Sequence, residues 1–242
     1  MWLDVTETAR GLLISLVEQE CADRKGDGMS NSRRLLVATL KFAARPLPAG
    51  MRNWARQIVE TRMMSRFPDR AILLQALFPA LRQTSALSKN AKVLWIGCRP
   101  YTVLYYSLIE QDGAESWSID IDPDMQPFGR PGRHITGDML ELHHLFPTTY
   151  FDAVLCNGVL GYGVDTPTDQ LKAFEALATV TKPDGWLLVG WDTDQTADPL
   201  KSGLAERWFQ HAPLPGLAAR SVVDGCTHVY DTYRRLHEGL TR

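Results

Sequence analysis

The sequence predicts a mostly parallel α/β protein, and three observations lead to it. From residue 91 onward, apolar runs of strand length alternate with stretches of helix length. The runs are apolar at successive positions, as strands covered by helices on both faces require. Most of them end in a turn holding glycine or a carboxylate, where strand order in such sheets leaves room for ligands.

Taken in order, Val93 to Ile96 reads as the first strand, TVLYYSLIEQ as a helix, Gly113 as a turn and SWSIDID as the second strand. A short strand fits RHIT before GDMLEL, and FDAVLCNGVLGYG reads as a buried strand ending in a glycine-rich turn. In TPTDQLKAFEALATV, Thr166 suits the N-cap, Pro167 the first helical position and Asp169 the first turn, with Leu171, Phe174 and Leu177 at helical spacing. KPDG then turns the chain into WLLVGW, and ARSVV and THVYDTY supply two later strands.

Composition is that of a globular protein, with 45% hydrophobic and 22% charged residues over 242 positions. Four well-separated cysteines form no C-x-x-C pair, and no run is apolar enough to span a bilayer. A reducing, cytoplasmic setting is expected. The net charge of −2 hides an asymmetry: residues 29–92 hold twelve bases and two acids, whereas 93–242 hold eleven bases and twenty acids. The chain is therefore expected to divide into a basic N-terminal helical segment, 1–90, and an α/β domain, 91–242.

Within the basic segment, Arg52, Arg56, Arg62 and Arg66 share one helix face. A solvated or docked face is the plain reading. Peripheral contact with an anionic membrane through residues 33–66 is the functional one, with nucleic acid the weakest option. Residues 1–28 differ again in composition and read either as a loose leader helix or as a stretch ahead of an alternative start at Met29, and oligomeric state is not legible.

Ligands of open α/β sheets bind beyond the carboxyl ends of the strands, which directs attention to residues 97–102, 120–122, 137–139, 157–162 and 191–194. The succession VLWIGC, SIDIDPDM, GDMLEL, FDAVLCNGVLGYG and KPDGWLLVGW, over residues 91–194, resembles the class I S-adenosylmethionine-dependent methyltransferase family. The resemblance implies a Rossmann-like, doubly wound, mostly parallel seven-stranded sheet with helices on both faces. It also implies an enzyme that moves a methyl group from S-adenosylmethionine to a small-molecule or lipid-linked acceptor.

Carried over residue by residue, Gly97 stands at the tight turn beside the cofactor's methionine part. Asp120 accepts both ribose hydroxyls, and Asp138 takes the adenine amino group with Met139 packing on the ring or offering its backbone N–H. Asn157 faces the methionine part and the methyl group, while Cys98, Arg99 and Ile121 complete the implied cofactor set. Read without the resemblance, Asp120 and Asp138 also fit helix caps or solvated loop acids, and Asp122 before Pro123 starts a turn. Tyr162 and Asp192 are the substrate-side candidates, able to orient or deprotonate an acceptor.

The loop after the first strand departs from the family pattern. Trp95 stands where an acid is common, and Arg99 and Tyr101 where glycine is frequent. Pro100 stiffens the loop, Thr102 is placed to cap the next helix, and Arg99 offers a guanidinium for the cofactor carboxylate. These departures carry the competing reading, a non-catalytic methyltransferase-like binding or scaffold protein that has lost cofactor binding. A nicotinamide-dependent oxidoreductase would need a G-x-G-x-x-G turn that is missing here. Adjacent His143 and His144 diverge by about 100° on a regular helix, and no metal is expected.

Overall fold

Contiguous apolar runs become strands. The structure, a computed structural model, describes residues 64–237. Its strands are β1 Lys92–Ile96, β2 Glu115–Asp120, β3 His134–Thr136, β4 Phe151–Asn157, β5 Thr181–Asp192, β6 Phe209–His211, β7 Arg220–Val222 and β8 His228–Arg235. They form one sheet in the order β3-β2-β1-β4-β5-β8-β6, with β7 also pairing β8. The first five are parallel, and β8 runs antiparallel to β5, β6 and β7. β6 pairs with residues 233–235 of β8 and β7 with 229–231. The two therefore occupy successive stretches of one edge, and the sheet is seven strands wide, as the resemblance implies.

The helices are α1 Pro68–Ile72, α2 Phe78–Arg82, α3 Thr102–Ile109, α4 Leu142–Leu145 and α5 Pro167–Val180. A widened turn, Leu73–Leu77, joins α1 to α2, with the Phe78 N–H reaching back to the Leu73 carbonyl just before Pro79. Thr166 caps α5 as its sequence predicts, its hydroxyl accepting the Asp169 N–H at 3.1 Å.

Side chains alternate across the sheet and fill a core on each face. Leu94, Ile96, Val154, Cys156, Leu187 and Val189 pack with Leu142 of α4 and Phe174 and Leu177 of α5. On the opposite face, Val93, Trp95, Leu155 and Leu188 meet Leu104 and Tyr105 of α3 and Leu73, Leu77 and Leu81 from the α1–α2 region. Each fully buried leucine contributes about 1.5–3 kcal/mol by leaving water. Residues 73–87, read as part of the basic segment, thus cover one face of the sheet.

Two local expectations are corrected. KPDG does not precede the fifth strand but lies inside it: Thr181 pairs with Phe151 and Trp186 with Ala153, the extra residues forming a bulge. Asp184 there has φ 59°. A Cβ on Gly185 would stand 2.7 Å from Thr181 Cγ2, so only glycine fits the bend. β6 has no counterpart in the sequence reading. The expectations for residues 1–28, for Arg52, Arg56 and Arg62, and for most of the 33–66 membrane segment lie outside the described residues. Among the described residues, no helix is long and apolar enough to cross a membrane.

Candidate functional site

The strand order reverses between β1 and β4, and the first part of the site is the turn that leaves β1. Gly97 has φ +84°, a conformation that favours glycine, and a Cβ there would stand 3.3 Å from Val159 Cγ2 and 3.6 Å from the Asn157 carbonyl oxygen. Trp95 is fully buried below it, its indole N–H donating to the Gly97 carbonyl at 2.6 Å and its ring packing on Tyr105. The guanidinium of Arg70 in α1 lies 4.1 Å from the Tyr101 ring and 4.4 Å from the Phe67 ring. The departures from the family pattern therefore brace the loop from below and from α1.

Thr102 does not cap α3. It is the helix's first residue, buried, and its hydroxyl donates to the Arg99 carbonyl at 2.8 Å while accepting the Arg99 N–H at 3.3 Å. The Arg99 side chain lies along its own loop and reaches toward Asp120. Its guanidinium donates to the Cys98 carbonyl at 2.6 Å and stands 3.5 Å from Asp120 Oδ2.

Asp120, at the carboxyl end of β2, is buried. Oδ2 accepts the Cys98 N–H, and Oδ1 accepts the Asp122 N–H at 2.9 Å. A carboxylate offers about four acceptor positions, so these two bonds leave capacity. Beside it Ile121 is 68% exposed, an unusual position for an isoleucine next to a buried acid. The Gly137 N–H donates to the Asp120 carbonyl and so brings residues 138 and 139 to the same edge. Asp138 serves as the cap that its residue type also suggested, accepting the Leu140 N–H at 2.9 Å, and Met139 is buried. Asp122 starts a turn by accepting the Asp124 N–H at 2.9 Å. Burial pushes the Cys98 thiol above its ordinary range.

The second part of the site joins β4, β5 and β8. Asn157 Oδ1 lies 3.0 Å from His228 Nε2, and His228 Nδ1 lies 2.9 Å from Asp192 Oδ1. The hydroxyl of exposed Tyr162 donates to Asp192 Oδ2 at 3.0 Å, and that of Thr227 to Oδ1 at 3.3 Å. Desolvation and the Asp192 carboxylate push the Tyr162 phenol above its usual range. The two substrate-side candidates are thus one hydrogen-bonded pair. His228, which the sequence reading did not single out, links them to Asn157. Its only sequence signal is its place at the head of THVYDTY, where antiparallel pairing sets it opposite Asp192.

His143 and His144 do not diverge as expected. α4 is a single turn, the rings lie 3.8 Å apart, and each histidine brings a nitrogen within 4.8 Å of a Glu141 oxygen and of the other. All three side chains are exposed.

A family model described as a methyltransferase domain matches residues 94–189, from β1 into β5. The ubiquinone/menaquinone biosynthesis C-methyltransferase UbiE of Proteus mirabilis (strain HI4320) is 27% identical over 168 residues, covering 65% of this chain. This chain spans 62% of the length of that curated relative. Among solved structures, the N-methyltransferase NodS from Bradyrhizobium japonicum WM9 is similar with a TM-score of 0.51 at 16% identity, covering 67% of this chain and 99% of that one. A TehB-like SAM-dependent methyltransferase from Corynebacterium glutamicum gives 0.50 at 17% identity, covering 74% and 98%. At these identities the structures support the fold.

Proposed function

Since the chain belongs to the class I S-adenosylmethionine-dependent methyltransferase family, we propose that it transfers a methyl group from S-adenosylmethionine to a small-molecule or lipid-linked acceptor. The observation that carries this reading is Asp120, a buried carboxylate at the end of β2 whose own-chain partners leave acceptor positions over, beside the left-handed turn at Gly97. The residues fit the cofactor. A vicinal diol matches the two oxygens of Asp120 in charge-assisted bonds. Exposed Ile121 offers apolar surface to the adenine ring, with Asp138 and Met139 at its edge, and Asn157 and Gly97 meet the methionine part.

Bound there, S-adenosylmethionine supplies an already activated sulfonium methyl. The protein's task is then mainly to align donor and acceptor, which accounts for much of the rate in such transfers. Asp192, with Tyr162 on its outer oxygen, is placed to accept a proton from a protic acceptor. The small-molecule acceptor is supported by the curated relative, named as a C-methyltransferase of quinone biosynthesis. A lipid-linked acceptor would bring the basic residues 33–66 to an anionic membrane surface.

The test is a thermal-shift titration with S-adenosylhomocysteine, run beside Asp120→Ala. At about 100 times its Kd the ligand should stabilise the protein by about 2.7 kcal/mol, and the variant should lose the shift. No shift at millimolar ligand would favour the competing reading, a non-catalytic binding module whose loop is closed by Arg99 over Asp120.

A further inference from the structure

We propose that His228 is a positioning residue of methyl transfer, fixing through its two ring nitrogens which end of the Asn157 carboxamide faces the cofactor's methyl position while orienting the Asp192 carboxylate toward the acceptor. The proposal rests on the methyltransferase reading above.

The geometry is that of a built clamp. The His228 side chain is only 9% exposed and both nitrogens are engaged, so it does not itself reach an acceptor. Gly190 is shaped to seat the pair. A Cβ there would stand 1.8 Å from Asn157 Oδ1 and 2.8 Å from both His228 Nε2 and Tyr230 Cε1. The Tyr230 ring packs edge-on against the imidazole at 4.6 Å, and its hydroxyl donates to the Asp69 carbonyl at 3.2 Å, tying the clamp to α1. The titratable groups facing the imidazole are Asp192 from β5, Tyr162 beyond it, and Tyr230 from β8 itself.

Hydrogen-bond valence supplies the rest of the argument. An ionised carboxylate only accepts, so Nδ1 carries a proton toward Asp192. With Nε2 also protonated, it donates to Asn157 Oδ1, and the amide's N–H groups are presented to the site. With Nε2 unprotonated, it accepts from the amide, and Oδ1 is presented instead. The two ends of a carboxamide have nearly the same shape, so one proton on His228 exchanges a donor for an acceptor at the methyl position. A sulfonium cation is favoured by the oxygen and disfavoured by the N–H groups, whereas the neutral thioether of S-adenosylhomocysteine discriminates little.

The experiment measures binding of both ligands by calorimetry from about pH 5 to about pH 7.5, in the wild type and in His228→Gln. In the wild type the preference for S-adenosylmethionine over S-adenosylhomocysteine should fall by about fivefold toward low pH, the order of one hydrogen bond. In His228→Gln it should be flat. In parallel, ¹⁵N-histidine NMR follows the His228 ring, and Asn157→Asp should raise its titration midpoint by about one pH unit or more, because a carboxylate replaces the amide oxygen. Identical pH profiles in wild type and His228→Gln, or a midpoint unmoved by Asn157→Asp, would overturn the proposal. Failure of both ligands to bind the wild type would instead remove the methyltransferase reading, and this proposal with it.

Discussion

Asp231 and Asp120 are both buried carboxylates faced by an arginine on the same sheet, yet one is sealed and the other is not. Asp231 of β8 has no exposed side-chain surface. It receives two N–H bonds from Arg220, at 2.8 Å each, one from Trp191 Nε1 at 2.9 Å, and His211 Nε2 at 3.0 Å. Asp198 occupies the rest of the Arg220 fork at 2.7 and 2.8 Å. Asp120 has two backbone N–H partners, and its arginine is half exposed and stands 3.5 Å away. Four donors exhaust a carboxylate and make Asp231 of β8 a structural rivet to β5, β6 and β7, with Asp198 joined through Arg220. Two backbone donors, with Arg99 at the edge of hydrogen-bond reach, hold the Asp120 carboxylate in place and leave acceptor positions over.

The comparison breaks most visibly at Arg220. Arg220→Ala would strand Asp231 as a buried charge without its main partner, and about 3–5 kcal/mol of stability should be lost in chemical denaturation. A loss below about 1 kcal/mol, the range of exposed pairs, would show that Asp231 is not sealed. Next in size is Gly190→Ala on β5. The new methyl meets Asn157 and His228, so about 1–3 kcal/mol of overpacking cost is expected, together with weaker binding of S-adenosylhomocysteine. Unchanged binding would separate the Asn157–His228 pair from the cofactor side.

Acid should act on the sealed network. The hydrogen bonds from Arg220 hold the Asp198 carboxyl down to about 2, from an ordinary 3.8. Because the folded value is the lower one, this contribution is fully present above pH 4 or so and is lost as pH falls through about 2. Asp198→Asn should therefore flatten the part of the acid-stability curve in that window. An unchanged curve would mean that other carboxylates govern it.

Legibility in the sequence follows the same division between local and non-local order. The central strands were readable because they are contiguous apolar runs, and α5 because Thr166 and Pro167 announce its start. β6 was not, since three residues on an edge carry no pattern, and the KPDG bulge looked like a turn because Asp and Gly suit both. In the candidate site, Gly97, Asp120 and Asn157 were legible from their position after a strand, and their cofactor roles are the proposal made above. His228 was not, because its partnership with Asp192 depends on antiparallel register between residues 36 positions apart. The local partners of Thr102 and Arg99 were not legible for another reason. Each has several local acceptors within reach, and only packing of the loop selects among them.

The smallest expected effect is also the sharpest probe of the unsealed carboxylate. Arg99 is 51% exposed, and its contact with Asp120 is long, so Arg99→Ala should change stability by less than about 1 kcal/mol. Its effect on S-adenosylhomocysteine binding should have a definite sign. On the proposed assignment of Asp120 to the ribose, the guanidinium, 3.5 Å from Oδ2, competes with the incoming hydroxyls for that oxygen. Removing it should strengthen binding by up to about fivefold, the equivalent of about 1 kcal/mol. Because an exposed ion pair is screened by salt, the wild type should approach the variant's affinity as ionic strength rises. Weaker binding in Arg99→Ala would mean that the side chain leaves Asp120 and takes the cofactor's carboxylate, placing Arg99 among the binding residues rather than in their way.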